Sequence, residues 1–164
     1  MKVSVSLVID PTEEYRIGFE TIESGFLPLE IFDYLNKESI EIVEVLLDRV
    51  KGSDSTSIAI LAEMTNIIHR LFVANENAIL YFFCDDLNEI PSTDKDIAPQ
   101  EYRSRLFTAM FDRFVTRHGI EGINNVSVCI DAIGRTEYLH FIVRNHHLKY
   151  VDFIRENIEQ IYTK

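Results

Sequence analysis

Cysteine is scarce in this chain, with two in 164 residues, Cys84 and Cys129. They make no C-x-x-C spacing and no disulfide framework, which excludes a zinc-ribbon-type site and a disulfide-stapled scaffold. Both fall in apolar, strand-like stretches and are expected to behave as small buried hydrophobes. Basic charge is also short. Lys and Arg total 16 against 27 Asp and Glu, a formal net charge of −11. That balance opposes nonspecific binding to nucleic acid or to an anionic membrane surface, both of which want a basic patch. No apolar run approaches the roughly 20 residues that a membrane-spanning helix needs. The opening MKVSVSLVIDP alternates apolar residues with serine and reads as a strand, not a signal peptide, so the expected location is the cytoplasm. Walker, G-x-G-x-x-G, G-x-S-x-G and kinase signatures are absent, as are internal repeats, low-complexity tracts and linkers.

What is present is an ordinary globular composition, 46% hydrophobic and 26% charged. A chain of this size folded as one domain buries roughly 70% of its unfolded surface and needs no metal or disulfide staple. The chain is therefore read as a single α+β domain spanning 1–164. Its organising stretch is Asn77 to Arg105. Ala78 to Cys84 is uninterrupted by polar residues, with Ala78, Leu80, Phe82 and Cys84 on one face of a strand and Ile79, Tyr81 and Phe83 on the other. A strand apolar on both faces belongs in the middle of a sheet. It stops at Asp85 and Asp86. Pro99 then suits the first position of a helix. On that helix Leu106, Phe107, Met110 and Phe114 share a face with Arg103 in its middle. Arg103 is expected to pair in bidentate fashion with Asp85 or Asp86, at the end of the strand the helix packs on.

Elsewhere, Val3, Val5 and Leu7 alternate with serines, Asp10-Pro11-Thr12-Glu13 signals a turn, and a second strand follows from about Tyr15 to Ile22 with Ile17 and Phe19 on one face. Pro28 suits the start of a short helix through Leu29, Phe32 and Leu35. From Ile40 to Val50 the periodicity leans helical, while the β-branched content fits a strand. Gly52-Ser53-Asp54-Ser55 breaks the chain and offers an N-cap. Ile58, Leu61, Met64, Ile67 or Ile68, and Leu71 form the stripe of an amphipathic helix, with His69 at its edge as a packing residue. Gly119 and Gly122 end the Arg103 helix. Val126 to Ile130 and Tyr138 to Val143 read as two strands around a turn at Gly134. A last helix runs from about His147 to Tyr162.

Tyr81-Phe82-Phe83-Cys84-Asp85 followed by Arg103-Ser104-Arg105-Leu106-Phe107 resembles an uncharacterised bacterial protein family. Its members carry an amphipathic helix, an N-x-x-A/V-x-L-Y-x-x-C-D strand and an R-x-R-L-F helix. The likeness covers roughly Glu41 to Phe114. The longer LNEIPSTDKDIAPQEY stands here in place of a short D-G-type turn. The resemblance implies no activity. It does imply that Ile40 to Val50 is a strand, and with that assignment the element order becomes β-β-β-α-β-α-β-β-α. This describes a mixed, largely antiparallel sheet of about six strands with three main helices packed on it.

Candidate chemistry is sparse. Cys84 beside Asp85 lacks the base or electropositive setting that a reactive thiol needs. Asp85, Asp86, Glu89, Asp94 and Asp96 form an acidic loop without the central glycine and terminal glutamate of a calcium loop. Adjacent His146 and His147 cannot share a helix face and read as a surface pair. Arg113 and Arg117 read as solvated residues pairing with neighbouring acids. No cofactor and no metal ligand set is expected. The leading reading is a non-catalytic protein-interaction or regulatory module that binds another protein or itself, with neither nucleic acid nor membrane as partner. The alternative is a small-ligand or metal-dependent enzyme with Asp85, Asp86, Arg103 and Arg105 at the end of the central strand.

Overall fold

A computed structural model describes residues 1–23, 27–52, 56–84, 96–132 and 134–162. The serine-alternating stretch forms β1 (Lys2–Asp10), paired antiparallel with β2 (Glu13–Thr21). The turn between them closes on Asp10, whose carboxylate accepts from the Thr12 backbone N–H at 2.7 Å and the Thr12 hydroxyl at 2.6 Å. Pro28 caps α1 (Leu29–Lys37), which brings the α-helices among the described residues to four. The ambiguous stretch is indeed a strand, β3 (Glu41–Lys51). Its helical spacing was coincidental. Ile42, Val43 and Val45 are buried on both faces, while Leu47 and Val50, needed for a helical stripe, are exposed at 43% and 40%.

β3 pairs in parallel with β4 (Ala78–Cys84). Parallel neighbours need a crossover, and α2 (Ile58–Ala74) supplies it. Ser57 caps α2, accepting from the Ile60 N–H at 3.2 Å. The cap thus lies past the expected Gly52–Ser55 break, of which residues 53–55 lie outside the described residues. α3 (Pro99–His118) follows, ending on Gly119 in the left-handed conformation at φ 59°. Then come β5 (Ile123–Ala132), β6 (Arg135–Arg144), a short turn of 3-10 helix at Asn145–His147, and α4 (Leu148–Tyr162). The sheet order is β1-β2-β3-β4-β6-β5, antiparallel except at β3/β4.

β4 is interior, as its two-faced apolar run requires. Ile79 and Tyr81 pack with Leu139, Phe141 and Val143 of β6 under α1 and α4. Ala78, Leu80 and Phe82 pack with Ile17, Phe19 and Val43 under α2. Two expectations are corrected here. Cys129 is exposed, because it lies on the outermost strand, β5, while Cys84 is buried. His146 and His147 are not a surface pair. The 3-10 turn directs His147 inward to 7% exposure, its ring 5.8 Å from that of Tyr150, and leaves His146 in solvent.

Arg144 ties the ends of α2 and the start of β4 to β6. It donates to the Phe72 carbonyl at 2.6 Å and the Ala78 carbonyl at 3.3 Å, with its guanidinium 3.9 Å above the Phe72 ring. The first of these satisfies a carbonyl in the last turn of α2, at the negative end of the helix dipole. Arg144→Ala is expected to cost about 2 kcal/mol in urea denaturation, the scale of hydrogen bonds from a charged donor. Arg144→Lys should recover less than half, since a lysine cannot reproduce the planar fork. Full recovery by lysine would show that charge alone matters.

Candidate functional site

The apolar stripe of α2 is only partly covered by the sheet beneath it. Ile60, Met64 and Phe72 are buried, but Leu61, Ile67, Ile68 and Leu71 are only partly covered. α3 departs further from expectation. The residues it buries are Gln100 and Ser104. The expected core face, Leu106, Phe107, Met110 and Phe114, is half-buried instead. The helix is rolled so that a polar stripe meets the sheet and the apolar stripe, with Arg103, looks sideways toward α2. Between the two helices lies a groove of about 1000 Å³.

The floor of the groove is open for a reason of register. β3 and β4 pair from Glu41/Ala78 to Glu44/Tyr81, but β3 runs on to Lys51 and β4 to Cys84. Past Glu44 and Tyr81 the two strands are not hydrogen-bonded to each other among the described residues. Val45, Leu47, Phe82 and Cys84 border that gap. Both strands are followed by helices that run back the opposite way. The carboxyl ends of β3 and β4 and the N-terminal turns of α2 and α3 therefore share one end of the groove. Arg49 and Arg103 border the groove at that end. Arg49 donates to the Tyr15 hydroxyl and to the Thr56 hydroxyl, each at 2.7 Å. The Nε of Arg103 is buried. The far end is apolar and aromatic. There His69 stacks on Phe114 at 5.1 Å between ring centroids, and Phe114 on His118 at 4.5 Å. Burial first, and His118 second, push the His69 pKa below its ordinary value.

The polar stripe of α3 has its own logic. Gln100, Ser104 and Thr108 recur at helical spacing and meet polar groups of β5 and β6. Gln100 donates to the Thr136 carbonyl at 3.3 Å. Ser104 Oγ lies 2.8 Å from His140 Nε2, and His140 Nδ1 lies 2.9 Å from Asn125 Oδ1. With an amide oxygen facing Nδ1, that nitrogen carries the proton and Nε2 accepts from the serine hydroxyl. His140 is fully buried, and burial pushes its pKa down to about 4, so the imidazole is neutral at pH 7. The order of groups is that of a nucleophile, base and orienting amide. However, Ser104 is 8% exposed, and neither it nor His140 borders the groove. Phe107 stands between, stacked on Phe82 at 4.2 Å and on His140 at 4.8 Å. The array fastens a helix to a sheet. It was missed in the sequence, where the signals were polar residues four apart on α3 and a histidine on the inward face of β6 beside Ile142.

Of the expected site residues, the two arginines diverge. Arg103 lines the groove. Arg105 points to solvent and pairs with Glu101 at 2.6 Å. Asp85 and Asp86, and with them the expected pairing to Arg103, lie outside the described residues, as do Glu89 and Asp94 of the acidic loop. Among the described residues no three His, Cys, Asp or Glu side chains converge as a metal site would require. Nor is any helix among them long and apolar enough to cross a membrane. Arg113 and Arg117 are exposed. Comparison with family models, curated proteins and solved structures found no match to this chain.

The buried His140 makes a pH prediction. Its native pKa of about 4 lies below the ordinary 6.5. Between those values the unfolded chain binds a proton that the native state refuses. The contribution to stability is therefore complete above pH 6.5 and is lost as pH falls toward 4. From pH 7.5 to 4.5 the loss is about 2.5 kcal/mol, at ~1.4 kcal/mol per pKa unit. In His140→Gln, the difference in urea unfolding free energy between these pH values should shrink by that amount. Equal pH dependence in both proteins would show that His140 titrates normally in the fold.

Proposed function

We propose that this chain is a non-catalytic interaction or regulatory module that takes an apolar guest into the groove between α2 and α3. The observation that carries the reading is the groove itself, about 1000 Å³ bordered mostly by aliphatic, thioether and aromatic side chains with a few polar groups. That is the composition of binding clefts, where apolar walls supply affinity and a few polar groups supply orientation. An apolar concavity of this size left unfilled is costly to keep, and exposed apolar patches mark interaction sites. The resemblance to the uncharacterised bacterial family points to the same place. Cys84, Arg103, Leu106 and Phe107, all part of the motif that carries it, border the groove.

The test uses the uncharged dye Nile red. The native protein is expected to bind it saturably at one site, with emission shifted to that of an apolar setting. Met110→Trp from one wall and Ile68→Trp from the other should each weaken binding at least about tenfold, since a bulky ring displaces the guest. The melting temperature should stay within a few degrees, because both positions are half-exposed. Absence of dye binding in the wild type, or undiminished binding in both variants, would sink the proposal.

A further inference from the structure

β1 leaves one edge of the sheet unpaired. It is the terminal strand, with β2 as its one neighbour among the described residues. The pairing tells which way its backbone groups point. The Thr21 N–H donates to the Met1 carbonyl at 2.8 Å, and the register runs on through Val3↔Phe19, Val5↔Ile17 and Leu7↔Tyr15. In an antiparallel pair, hydrogen-bonded positions alternate with non-hydrogen-bonded ones. Val3, Val5 and Leu7 therefore turn their N–H and C=O groups to β2, and Lys2, Ser4, Ser6 and Val8 turn theirs outward. Natural sheets blunt such an edge with charge, proline or a bulge. Here Lys2 stands at one end, and a register shift follows Val8 at the other. Val3-Ser4-Val5-Ser6-Leu7 between them has no such device. Only Val5 and Leu7 of this strand are partly covered, and Val3 is 41% and Val8 63% exposed.

The stretch is its own complement. Laid antiparallel on a second copy about Val5, it sets Ser4 against the partner's Ser6 and Lys2 against the partner's Val8, all with outward-turned backbone. Val5 meets the partner's Val5, and Val3 the partner's Leu7, at non-hydrogen-bonded positions where side chains come closest. Val5 and Leu7 already pack on the core under α2, so this apolar row extends that core across the contact. Charge agrees as well. Lys2, paired with Glu20 at 3.2 Å, comes within two strands of the partner's Glu14 on the same face, about 10 Å between Cα atoms. Its aliphatic stem lies over the partner's Val8. A slip of one residue would set outward-turned backbone against inward-turned backbone. A slip of two shortens the pairing or carries it into the register shift past Val8.

We infer that β1 pairs with β1 of a second copy about a twofold axis at Val5, joining two sheets into one. The contact is separate from the groove and does not depend on it. Residues 2–8 span about 23 Å at about 3.3 Å each. One strand from each copy lies at the small end of specific interfaces, so the dissociation constant is expected at about 10 µM.

Sedimentation equilibrium of the full chain, over concentrations bracketing that value, should show a reversible monomer–dimer equilibrium. Ser6→Pro removes an N–H that the monomer does not bond to β2. It should weaken the dimer at least about tenfold and leave the melting temperature within a few degrees. Ser4→Glu with Ser6→Glu opposes like charges across the axis and should do the same, whereas Ser4→Glu with Ser6→Lys opposes unlike charges and should keep the dimer. If Ser6→Pro fails to fold, the two charge pairs decide. A wild-type chain that stays monomeric, a dimer that survives Ser6→Pro, or charge pairs that weaken it equally would each overturn the inference. Nile red binding should be unchanged in Ser6→Pro, so this contact and the groove stand or fall separately.

Discussion

The fold depends on the burial of β4 on both faces. Leu80 and Ile79 are completely inaccessible, and Ala78, Tyr81 and Phe82 nearly so. At roughly 1.5–3 kcal/mol for each large apolar side chain removed from water, this strand is the strongest local incentive to fold. It can be realised only if helices cover both sides of the sheet. α1 and α4 cover one side, and α2 and α3 the other. The parallel partnership with β3 adds a second constraint. It demands a crossover, and the crossover places α2 on the face where α3 must also fit. Two helices then share a face spanning six strands, and the space left between them is the groove.

Much of this was legible in the chain. β4 was readable because seven residues without a polar interruption have one sensible home. The faces of β6 were readable because alternation is strict there: Leu139, Phe141 and Val143 lie toward α4, with His140 and Ile142 toward α3. β3 was harder. Its exposed end carries apolar residues at spacings that imitate a helix, and only the family resemblance decided for a strand. The roll of α3 was not legible. Its apolar stripe, Leu106, Phe107, Met110 and Phe114, is as good a core face as that of α2, and amphipathicity alone directs it inward. Arg103 travels with that stripe, so it lies in the groove wall beside Leu106 and Phe107. Cys129 and His147 failed for a related reason. Each was assigned from local sequence, and each was settled by tertiary placement, an outermost strand in one case and a tight turn in the other.

The roll of α3 is where energetics and function meet. The hydrophobic effect favours turning the apolar stripe onto the sheet, at ~25 cal/mol for each Å² removed from water. Against that stand His140 and Asn125, which occupy the sheet surface under α3. Had the apolar stripe covered them, the imidazole Nε2 and the amide nitrogen of Asn125, which the His140–Asn125 bond leaves over, would have been buried without partners, at ~1–3 kcal/mol for each orphaned group. Gln100, Ser104 and Thr108 remove that cost. Ser104 meets His140 at 2.8 Å, and Thr108 lies at the limit of reach from Asn125, 3.5 Å. Directed hydrogen bonds also fix the rotation of the helix more narrowly than apolar contact does, because they fail within a few tenths of an ångström. The side of α3 that faces α2 is then left with apolar residues that no part of the described chain fully covers. His140 does not line the groove. It holds the groove open by making the alternative packing of α3 unfavourable.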